Sequence, residues 1–187
     1  PIAEIEEIII GSNTLSREDY IDCRVMDLFI QTFYNNYLFE EVFALLKSLA
    51  VSTFDCMLYI KNHPELYSNN VKEIIKDFIS ATIDDLYNSL EEAQQSVLTP
   101  EIMIKYIEGK LGYNELLENT VRLFNKFDDS RDLMFNAAKG TLKEKDLFTS
   151  EIENYLVELE RFVSIRKNDP LVDIGSVKSS TFSYDFE

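Results

Sequence analysis

The sequence predicts an all-α fold, a multi-helix bundle of about seven or eight helices with a short extended segment at each end. Only five Gly and four Pro interrupt 187 residues. Apolar side chains recur mostly at three- and four-residue spacing, the signature of amphipathic helices. Recognisable helix starts then punctuate the chain at intervals suited to a bundle.

Residues 1–13 come first and read differently. Ile5 to Ile10 is β-prone and ends in Ile8-Ile9-Ile10, closed by Gly11-Ser12-Asn13. A lone strand is unstable without partners, so this segment is expected to be a junction strand finishing the sheet of a missing N-terminal domain. An opening on Pro1, without an initiator Met, fits the same expectation of a piece cut from a longer chain.

Residues 16–166 are expected to form the helical core. Ser16 with Asp19 three residues on resembles a capping box, and Ile21, Val25, Leu28, Phe29 and Phe33 form the stripe of a first helix reaching about Tyr34. A second helix covers about Leu38 to Leu49. A third starts at Ser52, capped with Asp55, and stops at His63-Pro64. The spacing of Ile74, Ile75, Phe78, Ile79, Ile83, Leu86 and Leu90 predicts one long helix from about Asn70 to Val97. Thr99-Pro100-Glu101 starts a fifth, which ends at Gly112. Further helices are expected over about Asn114–Phe127, Ser130–Ala138 and Lys143–Arg166, with Asp128-Asp129-Ser130 as the loop between two of them. Residues 168–187 change character: Gly, Ser and Thr surround the alternating Phe182, Tyr184 and Phe186. This tail is expected to be extended, either packed on the bundle or returning to the parent's sheet.

Charge narrows the partners. Thirty-four acids against 18 basic residues give a net charge of −16, which repels nucleic-acid backbones and anionic membrane surfaces alike. The densest basic stretch, Lys139 to Lys145, contains Glu144 and reads as one face of a helix. No apolar run approaches the ~18 residues of a membrane span; Tyr37 to Phe54 is broken by Glu40, Glu41 and Lys47. The acidic start Pro1-Ile2-Ala3-Glu4 lacks the basic region of a signal peptide. Cys23 and Cys56 read as buried free thiols of a cytoplasmic protein, with a disulfide or metal pair as the alternative.

Most catalytic constellations fail on inventory. The one histidine, His63, precedes a proline at a helix end and reads as a C-terminal helix cation rather than a general base. Ser-His-Asp and Cys-His arrangements would both need it, zinc lacks paired ligand spacing, and no Gly-rich phosphate loop is present. Carboxylates remain. Asp128-Asp129-Ser130-Arg131-Asp132 matches the Asp-Asp-x-x-Asp pattern with which helical isoprenoid synthases hold Mg²⁺ and diphosphate, and Mg²⁺ does take such hard oxygen ligands. Helix capping or a solvated face is nevertheless the preferred reading of Asp128, Asp129 and Asp132, since a short match of this kind is unremarkable among 34 acids. Asp84-Asp85-Leu86-Tyr87-Asn88 is a looser second candidate. Phe29, Phe33, Tyr34 and Tyr37 crowd the first helix; they are either core or the wall of a groove that receives another domain or an apolar ligand.

Glu7-Ile8-Ile9-Ile10-Gly11-Ser12-Asn13-Thr14-Leu15-Ser16-Arg17-Glu18-Asp19-Tyr20 resembles a junction in cobalamin-binding-type radical SAM proteins, where a β-prone stretch leaves the catalytic barrel through a Thr-x-Ser-x-x-Asp-aromatic turn and enters a helix. Phe182-Ser183-Tyr184-Asp185-Phe186 is similar to an aromatic-rich late strand of some members. The resemblance covers residues 7–37. The family's Cys-x-x-x-Cys-x-x-Cys motif is absent, so the resemblance implies that the [4Fe–4S] cluster, S-adenosylmethionine and cobalamin would belong to the parent. This chain would be a non-catalytic C-terminal accessory domain of an iron–sulfur oxidoreductase. It would pack beside the barrel and shape substrate access, with Phe29, Phe33, Tyr34, Tyr37, Phe182 and Tyr184 as interface candidates. The alternative is a freestanding acidic helical module for a basic protein partner.

Overall fold

The computed structural model describes residues 5–109, 112, 114–167 and 180–186. Nine α-helices make up the described chain: α1 Arg17–Phe29, α2 Glu40–Ser48, α3 Thr53–Asn62, α4 Asn69–Asp84, α5 Leu90–Val97, α6 Pro100–Ile107, α7 Glu115–Asn125, α8 Phe127–Glu144 and α9 Ser150–Arg166. A π-helical turn, Ile30–Asn35, extends α1, and a 3₁₀ turn, Pro64–Leu66, follows α3. The all-α prediction is correct. No strand occurs among the described residues. Residues 5–10 have no regular structure.

Most of the expected starts are built as the side chains dictate. Ser16 Oγ accepts from the Asp19 amide at 3.1 Å and Asp19 Oδ2 accepts from the Ser16 amide at 2.9 Å, a complete capping box. Ser52 caps α3 through the Phe54 amide, while Asp55 turns away to Lys145, 2.6 Å off. Thr99 precedes Pro100 as expected, but its hydroxyl donates to the Ser96 carbonyl and caps nothing.

Three boundaries differ from expectation. The helix predicted over 70–97 breaks after Asp84. Ser89 opens α5 by accepting from the Glu92 amide at 3.1 Å, and Glu92 accepts from the Asn88 amide in return. The loop expected at Asp128-Asp129-Ser130 is the first turn of α8. The chain turns instead at Lys126, whose amide donates to the Leu123 carbonyl at 3.2 Å, and buried Ser130 adds a second donor to that carbonyl at 2.8 Å from inside the next helix. Finally, α8 runs through Gly140 to Glu144 and α9 starts only at Thr149, which caps the Ile152 amide. Gly140 does not end a helix. A Cβ there would stand 2.2 Å from Tyr59 Cζ, so its bareness lets the Tyr59 ring lie against α8.

The core is packed by α1 to α4 and α7 to α9, with α3 against α8 and α4 against α7 as the most extensive pairs. Phe29 and Phe33 are completely buried and stack at 6.1 Å. Phe33 passes the contact on to Phe39, and Phe39 to Phe127. The end of α9 ties the α1–α2 connection down. Lys167 donates to the Tyr37 and Leu38 carbonyls and pairs with Glu41 at 2.9 Å, where the Glu41 side chain is only 8% exposed. Tyr37 is held there with a φ of +55°, strained for a residue with a Cβ.

Of the expected tail, 168–179 and 187 lie outside the described residues. In 180–186, Phe182 and Phe186 meet Phe162, while Tyr184 and Phe186 meet Tyr155 of α9, at 4.9–5.6 Å. These seven residues pack on the bundle. No single helix among the described residues is long and apolar enough to cross a membrane. The α2–α3 pair passes by length and composition only together, bent by 116°.

Candidate functional site

The acidic cluster singled out in the sequence lies in the first turns of α8, and its charges are engaged by neighbours. Arg131 Nη1 is 2.6 Å from Asp128, and its Nη2 is 2.7 Å from Asp132. Asp129 accepts from Asn70 Nδ2 of α4 at 2.7 Å. Burial alone would lower the Arg131 pKa. The carboxylates of Asp132, Asp128 and Glu160 outweigh it and raise it instead. Among the described residues no group of three or more His, Cys, Asp or Glu is arranged to hold a metal ion.

The aromatic candidates divide. Phe29 and Phe33 are core and present nothing to a partner. Tyr34 and Tyr37 are 41% and 70% exposed, with Lys47 over the Tyr34 ring. Phe182 and Tyr184 are half-buried against α9. The cysteines also divide: both are free, Cys56 buried as expected and Cys23 exposed. Burial pushes the Cys56 thiol up to about 12, with a Thr141 hydrogen bond opposing. It therefore stays a neutral, unreactive thiol. One buried and one exposed cysteine cannot supply the three thiolates an iron–sulfur site of the resembled family requires. These residues do not fit such a cluster.

A cleft of about 320 Å³ opens where α3 meets α8, lined by residues that include Asp55, Tyr59, His63, Glu144 and Lys145. His63 Nδ1 lies 2.6 Å from Glu65 Oε1, its Nε2 lies 3.9 Å from Glu144, and its ring stacks on Tyr59 with centroids 3.9 Å apart. Hydrogen bonds from its own backbone and from His63 hold the Glu65 carboxyl below its ordinary range. Burial, with Glu144 and Glu65 adding, pushes the Tyr59 hydroxyl up. Lys145 is bound to Asp55. Through Glu144 on α8 and Tyr59 on α3, the imidazole forms a polar clasp between the two helices.

The chain matches no family model, no curated protein and no solved structure. What it does must be read from its own surface.

That surface has one unusual element, the α5–α6 hairpin between Asp85 and Asn114. Its two eight-residue helices contain a single buried residue, Ala93. Ile102 and Tyr106, four apart, face inward and are half-buried. Gly112 fits under Tyr106, where a Cβ would come within 2.8 Å of the ring. Met103, Ile104 and Ile107 form the opposite face and are 49%, 54% and 69% exposed, with Leu98 at the bend 72% exposed. At the root, Glu115 opens α7 beside Asp85. Burial first, then a hydrogen bond with Asp85 and its charge, push the Glu115 carboxyl up to about 7, with Arg24 opposing. Apolar spacing alone conceals this hairpin, because Leu86 and Leu90 continue the α4 stripe across the break.

Proposed function

We propose that this chain is a non-catalytic helical module that works by docking onto a protein partner, with the α5–α6 hairpin as the contact element. One observation carries the reading: a projecting hairpin keeps four large apolar side chains in water while its inner face anchors it. Exposing apolar area costs about 25 cal/mol per Å², and contiguous apolar faces of this kind mark interaction sites. The engaged acidic cluster, the inert Cys56 and the boxed-in His63 support a role without chemistry of its own. Two free thiols suit a reducing compartment, the cytoplasm.

The test is capture of partners from source-cell extract by the full chain and by a Met103→Ser/Ile107→Ser variant. A protein retained by the first and lost by the second, at unchanged melting temperature, is the expected result. Identical capture by both would refute the reading.

A narrower form makes the partner the catalytic barrel of a radical SAM iron–sulfur oxidoreductase, which would carry the cluster, S-adenosylmethionine and cobalamin. The sequence of residues 7–37 supports it, as do Ile8 and Ile9, 51% and 80% exposed ahead of α1. The gene's coding sequence upstream of residue 1 tests this form. It requires a Cys-x-x-x-Cys-x-x-Cys motif there.

A further inference from the structure

Resting on the reading of the hairpin as contact element, we propose that its outer face receives a cationic amphipathic helix of the partner. The apolar part is set by spacing. Met103, Ile104 and Ile107 stand at i, i+1 and i+4 of α6, with Leu98 at its entrance. Each eight-residue helix is about 12 Å long. That length matches two or three turns of a partner helix presenting apolar residues at i, i+3, i+4 and i+7, the usual helix-on-groove arrangement.

The charge decides what the rest of that helix carries. Glu91, Glu92 and Glu101 are exposed on the hairpin, and Asp84 and Glu118 are exposed at the helix ends that flank its root. Of the cations nearby, Arg122 is bound to Asp77 at 2.7 Å and to Asn119, and Lys105 lies in the last turn of α6. A second copy of this chain would bring the same carboxylates against these. Two short helices also offer far less than the roughly 800 Å² per partner of a standard stable interface. An anionic lipid surface meets the same repulsion. Lys and Arg flanking an apolar stripe complement the face in both respects, and association so steered weakens with salt.

The probe is a fluorescein-labelled 16-residue peptide with Leu at helical i, i+3, i+4 and i+7 positions and Lys or Arg elsewhere, titrated with the full chain by fluorescence anisotropy. Expected are saturable one-to-one binding at 50 mM NaCl, at least tenfold weaker binding at 300 mM, and a gain of peptide helicity. M103S/I107S should weaken binding at least tenfold, and E91Q/E101Q about three- to tenfold. V157S, at an exposed apolar position on α9, should leave it unchanged.

A non-specific attraction between an acidic protein and a basic peptide would show equal binding to M103S/I107S and would overturn the proposal. Equal affinity for a peptide with Glu in place of Lys and Arg would also overturn it. So would concentration-dependent dimerisation lost in M103S/I107S, or binding to phosphatidylserine vesicles. If partner capture depends on Met103 and Ile107 while the cationic peptide fails, docking stands and the cationic helix falls.

Discussion

At the scale of single residues, the molecule uses polar side chains to close its own helix ends. Ser130 is the clearest case. It is completely buried, and its hydroxyl donates to the Leu123 carbonyl, which the Lys126 amide also reaches at 3.2 Å. Ser130→Ala should therefore lower stability by about 0.5–1.5 kcal/mol, the net worth of one hydrogen bond. Urea denaturation measures this, and an unchanged midpoint would mean that the Lys126 amide alone satisfies the carbonyl. The Asp-Asp-x-x-Asp spelling drew attention to the same stretch for a different reason. Both readings of it were legible: acids at i and i+4 share a helical face, and they can cap or coordinate. Which one holds depends on Arg131, flanked by Asp128 and Asp132, and on Asn70 arriving from 59 residues away. Contacts over that distance leave no periodicity in the sequence. The helix end expected at about Ala138 fails in a similar way: α8 runs on through Gly140, whose missing Cβ leaves room for the Tyr59 ring from a distant helix.

At the scale of elements, starts were easier to read than ends. Ser16, Ser52 and Thr149 all cap helices in the structure, but only the first two were recognised. The amphipathic stripe of α4 hid the break at Asp85, although Asn88-Ser89 with Glu92 was a capping signature in plain view. The hairpin inserted there carries a pH response at its root. In the unfolded chain Glu115 titrates near its ordinary value of 4.5, whereas in the fold it is held up to about 7 beside Asp85, with Glu118 adding and Arg24 opposing. The folded state thus holds a proton that the unfolded state releases. That contribution is complete below about pH 4.5 and is lost as the pH rises through 7. Glu115 is only partly buried and solvent screens it, so the effect is discounted to about 1 kcal/mol. Burial, with the charge of Asp85 adding, pushes the Tyr106 hydroxyl on α6 up, so it stays neutral through this range. Amides of 90–107 should exchange about fivefold faster at pH 8 than at pH 5, after correction for intrinsic rates. Glu115→Gln should remove that difference. Equal opening at both pH values in the unmodified chain would show that the two carboxyls do not govern the hairpin's root.

At the scale of the whole molecule, net charge sets two opposite responses to salt. Even if each of the 18 basic residues neutralised one acid, sixteen of the 34 acids would remain unbalanced. Most ion pairs here have a solvent-exposed partner and contribute about 0–1 kcal/mol each, so their weakening by salt is small. Relief of mutual repulsion within a compact body of charge −16 is the larger effect. Raising NaCl from 20 to 500 mM shortens the screening length from roughly 20 Å to below 5 Å. It should raise the melting temperature by about 3–6 °C, equivalent to 1–2 kcal/mol for a chain of this size. A falling melting temperature would mean that specific pairs such as Lys167–Glu41 and Arg131–Asp132 outweigh the general field. Docking of a cationic helix must respond in the opposite sense, because the same ions that quiet the repulsion screen the attraction between acidic hairpin and basic partner. Binding that weakens with salt while the fold strengthens therefore separates a surface effect from partial unfolding. Loss of both together would point to the bundle itself coming apart.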